Sequence, residues 1–297
     1  MIRFMFLCMI GITLLMGCES NDDSKIKTTN EKKSEHQKDK SETKKQITKG
    51  NKSSDFKNNK DKVLSGLTEK EKIGLAFYAK NAGKYILTKN EILTNCYEGE
   101  GPNGMMKYAI NDNFMIEKHQ PINGAPIGMK FYTVLPTKNR AASIIGIGYD
   151  KIYIGSTQSS FIDYNQALRY GEDVDIYSLY EKYKNHRGLS EITNKIKIYA
   201  PHEAVDRFDP MKAKLPLAET INYVYGMINE FEGKSVNTNK YLWDNIRLDN
   251  DGNWTVNYRN HDGEIMGTYK SEKDKIIKLD QNGNKVKEKQ MSNQSEE

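Results

Sequence analysis

The chain is poor in the features that usually name a chemistry. Its 297 residues include only three cysteines, at 8, 18 and 96, in no zinc-knuckle or redox spacing. Its five histidines, at 36, 119, 186, 202 and 261, form no metal-ligand pattern. No Gly-Lys-Ser/Thr phosphate loop and no Gly-x-Ser-x-Gly elbow occurs, and Gly146-Ile-Gly148 lacks the third glycine of a dinucleotide site. The longest nearly apolar run, Phe4 to Met16 with Thr13 inside it, is 13 residues. A membrane-spanning helix needs about 20. Charge excess is also missing where a nucleic-acid-binding domain would carry it. Residues 19–62 hold 13 lysines against 9 acids, whereas residues 63–297 hold 31 basic and 31 acidic groups.

What is present begins at the N-terminus. Arg3 precedes the 13-residue apolar run, and Leu15-Met16-Gly17-Cys18 follows it. The run is long enough for a signal-peptide core. The tetrad resembles a bacterial lipobox: a branched apolar residue, a variable one, a small one, then cysteine. The resemblance implies diacylglyceryl transfer to the Cys18 thiol and cleavage before it, with Leu15, Met16 and Gly17 as recognition residues. Two acyl chains hold a protein on a bilayer stably, where one holds it marginally. With Cys8 removed and Cys18 lipidated, Cys96 has no partner and no disulfide framework forms. The Lys/Asn/Ile-rich usage fits a Gram-positive surface lipoprotein.

Five stretches follow: a signal at 1–17, a lipidated Cys18 with a tether at 18–62, an α+β part at 63–212, a C-terminal part at 213–285, and a tail at 286–297. Residues 19–62 contain only Ile26, Ile47 and Phe56 as large apolar residues. Such composition cannot offset its ordering entropy, so a disordered tether is expected. The charged tail is expected to be disordered for the same reason. Thr68-x-x-Glu71 and Thr88-x-x-Glu91 read as capping boxes, the first opening a helix over 69–80. Tyr85-Ile86-Leu87 reads as a short strand and Glu98–Gly104 as a loop. Strands are expected at 107–110, 129–135, 142–148, 151–155 and 196–199, with an amphipathic helix over 175–186.

The stretch Pro201–Pro216 reads as a boundary. Beyond it Leu217, Ile221, Val224, Tyr225, Ile228 and Phe231 make a helical stripe closed by Gly233. Four short strands follow, separated by Asp251-Gly252, Asp262-Gly263 and Asn282-Gly283 hairpin signals. The expected fold class is therefore α+β in two small parts, the second a helix on a four-stranded antiparallel meander. This order of elements resembles the small cystatin-like, NTF2-like and PepSY-type modules of bacterial envelope lipoproteins. The resemblance implies a fold that usually binds or regulates.

Candidate chemistry is thin. His202-Glu203-Ala204-Val205-Asp206 begins like a zinc-protease helix but has Asp206 where the second histidine belongs. Asp249-Asn250-Asp251-Gly252-Asn253 resembles a calcium-loop fragment, with Arg247 in place of the first ligand, and reads better as a hairpin turn. Cys96 reads as an inert thiol. Seven tyrosines lie between 149 and 183. Tyr153, Tyr180 and Tyr183 fit core positions, leaving Tyr170 and Tyr177 as the exposed pair for ligand contact. We therefore expect no catalytic residue, no metal and no cofactor. The expected protein is lipid-anchored at the extracytoplasmic face of the cell membrane, in a binding or accessory role toward a wall polymer or another envelope protein, with no nucleic-acid partner. A wall-active hydrolase, or an inhibitory or protective protein acting on another envelope protein, stands as the alternative.

Overall fold

A computed structural model describes residues 51–290, apart from 102–103, 111–113, 139–140, 162, 204–213 and 237–238. The signal, Cys18 and most of the tether lie outside the described residues, as does Asp206. The described residues form a mixed α+β structure of eight helices and three sheets. None of these helices is long and apolar enough to cross a membrane.

The chain enters through α1 (Asn51–Gly66), where the tether expectation fails for its last residues. Phe56, Lys60 and Leu64 recur every fourth position and so share a face. Leu64 is fully buried, Lys60 pairs with Asp175 at 2.9 Å, and Phe56 meets Tyr177 edge-on at 5.8 Å. The helix thus gains long-range partners that local composition does not reveal. Next come α2 (Glu69–Ala76), α3 (Ala82–Tyr85) and α4 (Lys89–Thr94). Both capping boxes are formed, Thr68 with Glu71 and Thr88 with Glu91. The strand expected at 85–87 is instead the end of α3 and an extended exit whose Ile86 and Leu87 are buried.

The hairpin β1 (Cys96–Gly101) and β2 (Gly104–Ala109) occupies most of the expected loop. Tyr97 and Tyr108 are directly paired across it and stack at 5.3 Å, which holds strands that glycine would otherwise weaken. A six-stranded sheet is built from β3 (Phe114–His119), β4 (Lys130–Leu135), β5 (Ala142–Ile147), β6 (Lys151–Thr157), β7 (Gly171–Asp175) and β8 (Ile196–Tyr199), in the order β7-β6-β5-β4-β3-β8. All its pairs are antiparallel except β3 with β8. Between its strands lie α5 (Tyr164–Ala167), α6 (Ile176–Tyr183) and α7 (Arg187–Lys195). Alternate residues feed two cores. Tyr132, Ile145, Ile152 and Ile154 meet the helices, while Phe131, Ile144 and Tyr153 meet Tyr164 and Ala167. Burial on both faces explains why these strands read as continuous apolar runs.

The C-terminal region holds α8 (Ala218–Glu232) and a second six-stranded sheet. Its strands are β9 (Leu242–Trp243), β10 (Arg247–Leu248), β11 (Trp254–Arg259), β12 (Ile265–Glu272), β13 (Lys275–Asp280) and β14 (Lys285–Gln290). Five follow the order β10-β11-β12-β13-β14, and β9 pairs with β11 beside β10. Val224, Ile228 and Phe231 share one core with Trp254, Val256, Tyr269 and Ile276. Leu217, the first residue of the expected stripe, is exposed. The expected tail is ordered through Gln290, because β14 pairs with β13 and Lys287 donates to the Phe231 carbonyl at 2.6 Å. In the three tight turns Gly252, Gly263 and Gly283 take positive φ. Asp249 and Asp280 each accept from two backbone N–H groups of their own turn, so the calcium-loop look-alike is a hairpin.

The described residues from 51 on cluster by contact into one compact unit. Its centre is Arg259, only 1% exposed. Nε and Nη2 donate to Asp244 at 2.6 and 2.9 Å, while Nη1 and Nη2 donate to Glu191 at 2.9 Å each. Nη1 also donates to the Gly263 carbonyl at 3.0 Å, so all five donors are used. Glu191 sits on α7 and also holds Lys195 at 3.2 Å. Lys195 in turn donates to the Ile92 and Leu93 carbonyls at the end of α4, at 3.0 and 3.3 Å. Asn245 N–H donates to the Thr94 carbonyl at 2.7 Å. Gly263 lies against Leu93, where a Cβ would come within 2.6 Å of Cδ1.

Removing one partner of a buried ionic cluster strands the others without a counter-charge. Arg259→Met should therefore cost about 3–5 kcal/mol in urea unfolding. Burial alone would push the Glu191 carboxyl up, but the Arg259 hydrogen bonds and charge, with Lys195, hold it below its ordinary value of 4.5. A depressed carboxyl stabilises the fold above that value and loses its contribution as pH falls below it. Glu191→Gln should flatten the pH dependence of stability in that acid range. An Arg259→Met protein as stable as the parent would contradict this assignment.

Candidate functional site

The C-terminal sheet carries a row of aromatic side chains on the face that meets α8. Trp243 on β9 is paired directly with Tyr258 on β11, and Tyr269 on β12 directly with Lys278 on β13. Directly paired residues present their side chains on one face. Tyr258 and Tyr269 are joined on the diagonal, with ring centroids 5.5 Å apart. Trp243 lies 5.6 Å from Tyr258 and 6.1 Å from Tyr269, and Tyr241 stands edge-on to Tyr258 at 5.1 Å. Gly267 opposite Tyr258 makes this possible. A Cβ there would fall 2.6 Å from the Tyr258 Oη and 2.7 Å from the Leu279 carbonyl.

The helix ends where this row begins to emerge. Gly233 takes φ 68° as the C-cap of α8, and Lys234 N–H returns to the Asn229 carbonyl at 3.1 Å. Val236 N–H donates to the Asn229 Oδ1 at 2.7 Å, tying the chain after Gly233 back to α8. A cavity of about 350 Å³ results, walled by Tyr241, Trp243, Tyr258 and Tyr269 with Glu232, Lys234, Lys240 and Lys278. A broader groove of about 730 Å³ adjoins it toward α4 and the β1–β2 hairpin. Tyr241 and Trp243 line both. Such volumes suit small-ligand sites.

The charges in the cleft are fixed rather than poised. Burial alone would raise the Glu232 carboxyl, but hydrogen bonds from Lys278 (2.8 Å) and Tyr269 (2.9 Å) hold it below the ordinary carboxylate range. Burial alone would lower the Lys278 ammonium, but Glu232 and Tyr269 hold it well above its usual value. Burial also raises the Tyr258 and Tyr269 phenols. A carboxylate kept ionised beside an ammonium kept protonated is a poor proton shuttle near neutrality. Glu232 is the single carboxylate among the residues of the smaller cavity, whereas glycosidic cleavage calls for a pair. The adjoining groove is lined by two carboxylates, Glu98 and Glu91, of which Glu91 is spent on its capping box and on Lys138 at 2.9 Å. The Trp243 Nε1–H is buried and has no hydrogen-bond partner among the described residues.

Cys96 lines the adjoining groove, half-buried, and burial pushes its thiol up, with Lys107 only partly opposing. His202 lies on the surface with φ 66°. No cluster of three or more metal-ligating side chains occurs among the described residues. The exposed pair read from sequence is dispersed. Tyr170, 54% exposed, stacks on Phe161 at 6.3 Å. Tyr177 on α6 covers Phe56 and has the Lys60 ammonium 5.8 Å from its ring. Neither lines the aromatic cleft. Sequence reading missed Tyr241, Trp243, Tyr258, Tyr269, Glu232 and Lys278 as site residues. Tyr241-x-Trp243 carries a period-two signal, but two residues of strand are too short to register it.

No protein-family model, no curated protein and no solved structure matches this chain.

A raised thiol pKa leaves little thiolate, the reactive form. Iodoacetamide at neutral pH should therefore label native Cys96 more slowly than the urea-unfolded chain. Labelling at equal rates would show an activated thiol and reopen nucleophilic chemistry in the groove.

Proposed function

We propose that this chain is a lipoprotein anchored through Cys18 to the extracytoplasmic face of the cell membrane, where it binds a ligand without transforming it. The anchor rests on the lipobox resemblance of Leu15-Met16-Gly17-Cys18 after a short apolar run. The binding role is carried by the aromatic cleft, which joins three half-buried rings and the buried Tyr269 to one locked Glu232–Lys278 pair. Wall-active hydrolysis finds no second carboxylate beside Glu232 in the smaller cavity.

The reading extends to the fold of the C-terminal part. We take it as a helix laid on an antiparallel meander, similar in element order to the cystatin-like, NTF2-like and PepSY-type modules. The shared core of Val224 and Ile228 with Trp254 and Val256 supports this. The natural partners of such a protein are the membrane, through its lipid, and a wall polymer or another envelope protein, through its cleft.

Cys18→Ala should abolish incorporation of labelled palmitate and either release the protein from the membrane fraction or stall its processing. Persistent labelling of the variant would refute the anchor.

A further inference from the structure

The rings of the cleft do not stop at the smaller cavity. Tyr241, Trp243 and Tyr258 wall it, and Tyr241 and Trp243 also wall the adjoining groove, where Tyr225 and Tyr97 add to them. All five are only partly buried. Trp243 meets Tyr225 edge-on at 5.3 Å, so the row runs from one chamber into the other. An aromatic face is electron-rich, and its natural complement is a flat surface edged with C–H groups. Carboxylates stand beside the rings as acceptors. Glu232 takes its bonds from Tyr269 and Lys278 both on Oε1, although a carboxylate has about four lone-pair sites. Glu98, in the groove, is exposed, and its carboxylate makes no hydrogen bond or ion pair among the described residues.

A ligand for this wall must bring both C–H surface and hydrogen-bond donors. A sugar ring has C–H groups on its face and hydroxyls around its rim. Charge does not define the ligand, because Lys278 is bound to Glu232 at 2.8 Å and Lys240 lies over the Tyr241 ring at 5.3 Å. A proline-rich peptide is the other kind of chain that lies along aromatic grooves. Its prolines carry no N–H, so Glu232 and Glu98 would go unmet. The indole donor that could receive its carbonyls, Trp243 Nε1–H, is buried. A peptide adding as a strand needs a long free edge, and β9 has two residues. We propose that the cleft takes an uncharged oligosaccharide. One ring packs in the smaller cavity against Tyr241 and Trp243 with hydroxyls donating to Glu232, and the next rings run past Tyr225 along the groove. This rests on the cleft being the binding site.

The test uses the full chain in neutral phospholipid vesicles and reads tryptophan emission. The chain has two tryptophans, and Trp254 is 3% exposed, so Trp243 reports on the cleft. At least one of chitotriose, cellotriose and maltotriose should shift the emission saturably, and should bind more tightly than its own monosaccharide. Added salt should leave that affinity within about twofold, because no ligand charge is involved. Tyr241→Ala should weaken binding about tenfold through the lost ring contact. Glu232→Gln should weaken it about tenfold through the lost charged acceptor. Should Glu232→Gln lose its fold by circular dichroism, the partly exposed Tyr241→Ala site carries the test. Full affinity in Tyr241→Ala would overturn the placement on the aromatic wall. Affinity that falls steeply with salt would overturn the uncharged class. A monosaccharide bound as tightly as its trimer would overturn the extended mode. End-blocked hexaproline binding more tightly than every sugar would overturn the saccharide class while leaving the cleft as a binding site. Absence of a saturable response to every probe would overturn both.

Discussion

The buried Arg259 guanidinium organises this protein. A cation 1% exposed must find a partner for every donor, and those partners come from far along the chain. Asp244 precedes β10, Gly263 sits in the β11–β12 turn, and Glu191 lies on α7, 68 residues away. Glu191 then recruits Lys195, which caps the carbonyls of α4. One side chain therefore fixes two helices of the first region against the hairpin of the second sheet. Apolar replacements can match buried ion pairs in stability, but they do not impose this geometry.

That geometry positions the cleft. The groove beside it draws Thr88, Glu91 and Cys96 from the first region and Tyr225, Tyr241 and Trp243 from the second. If the seam slipped, the smaller aromatic cavity would persist, because its walls belong to α8, the second sheet and the segments leading into them. The adjoining groove would lose one wall. The length of ligand that the protein can hold thus depends on an interaction that never touches the ligand.

Much of the local structure was legible in the sequence, and the reason is range. Capping boxes at Thr68 and Thr88 and glycine turns at 252, 263 and 283 are decided within a few residues, and all of them form. Trp254 and Val256, alternate residues of one strand, share one core, as the two-residue period of a strand requires. What escaped was non-local. α1 is held by Asp175 and Tyr177, more than 100 residues downstream. β14, polar except for the exposed Val286, is held by its ladder to β13 and by Lys287. β3 is flanked by β4 and, in parallel, by β8 some 80 residues on. The aromatic cleft assembles from four strands and a helix end, so no single window of sequence contains it. Arg259 draws its carboxylates from 15 and 68 residues away, so no short window around it contains them.

The claim that one buried cluster makes 51–290 a single cooperative body is open to direct measurement. Native-state hydrogen exchange should compare the amides of Ile192 on α7 and Val256 on β11, both buried, as denaturant is raised. The account predicts that both exchange through the same global opening, with equal opening free energies. An opening that releases Val256 at markedly lower free energy than Ile192 would show the second sheet unfolding on its own, and would contradict it.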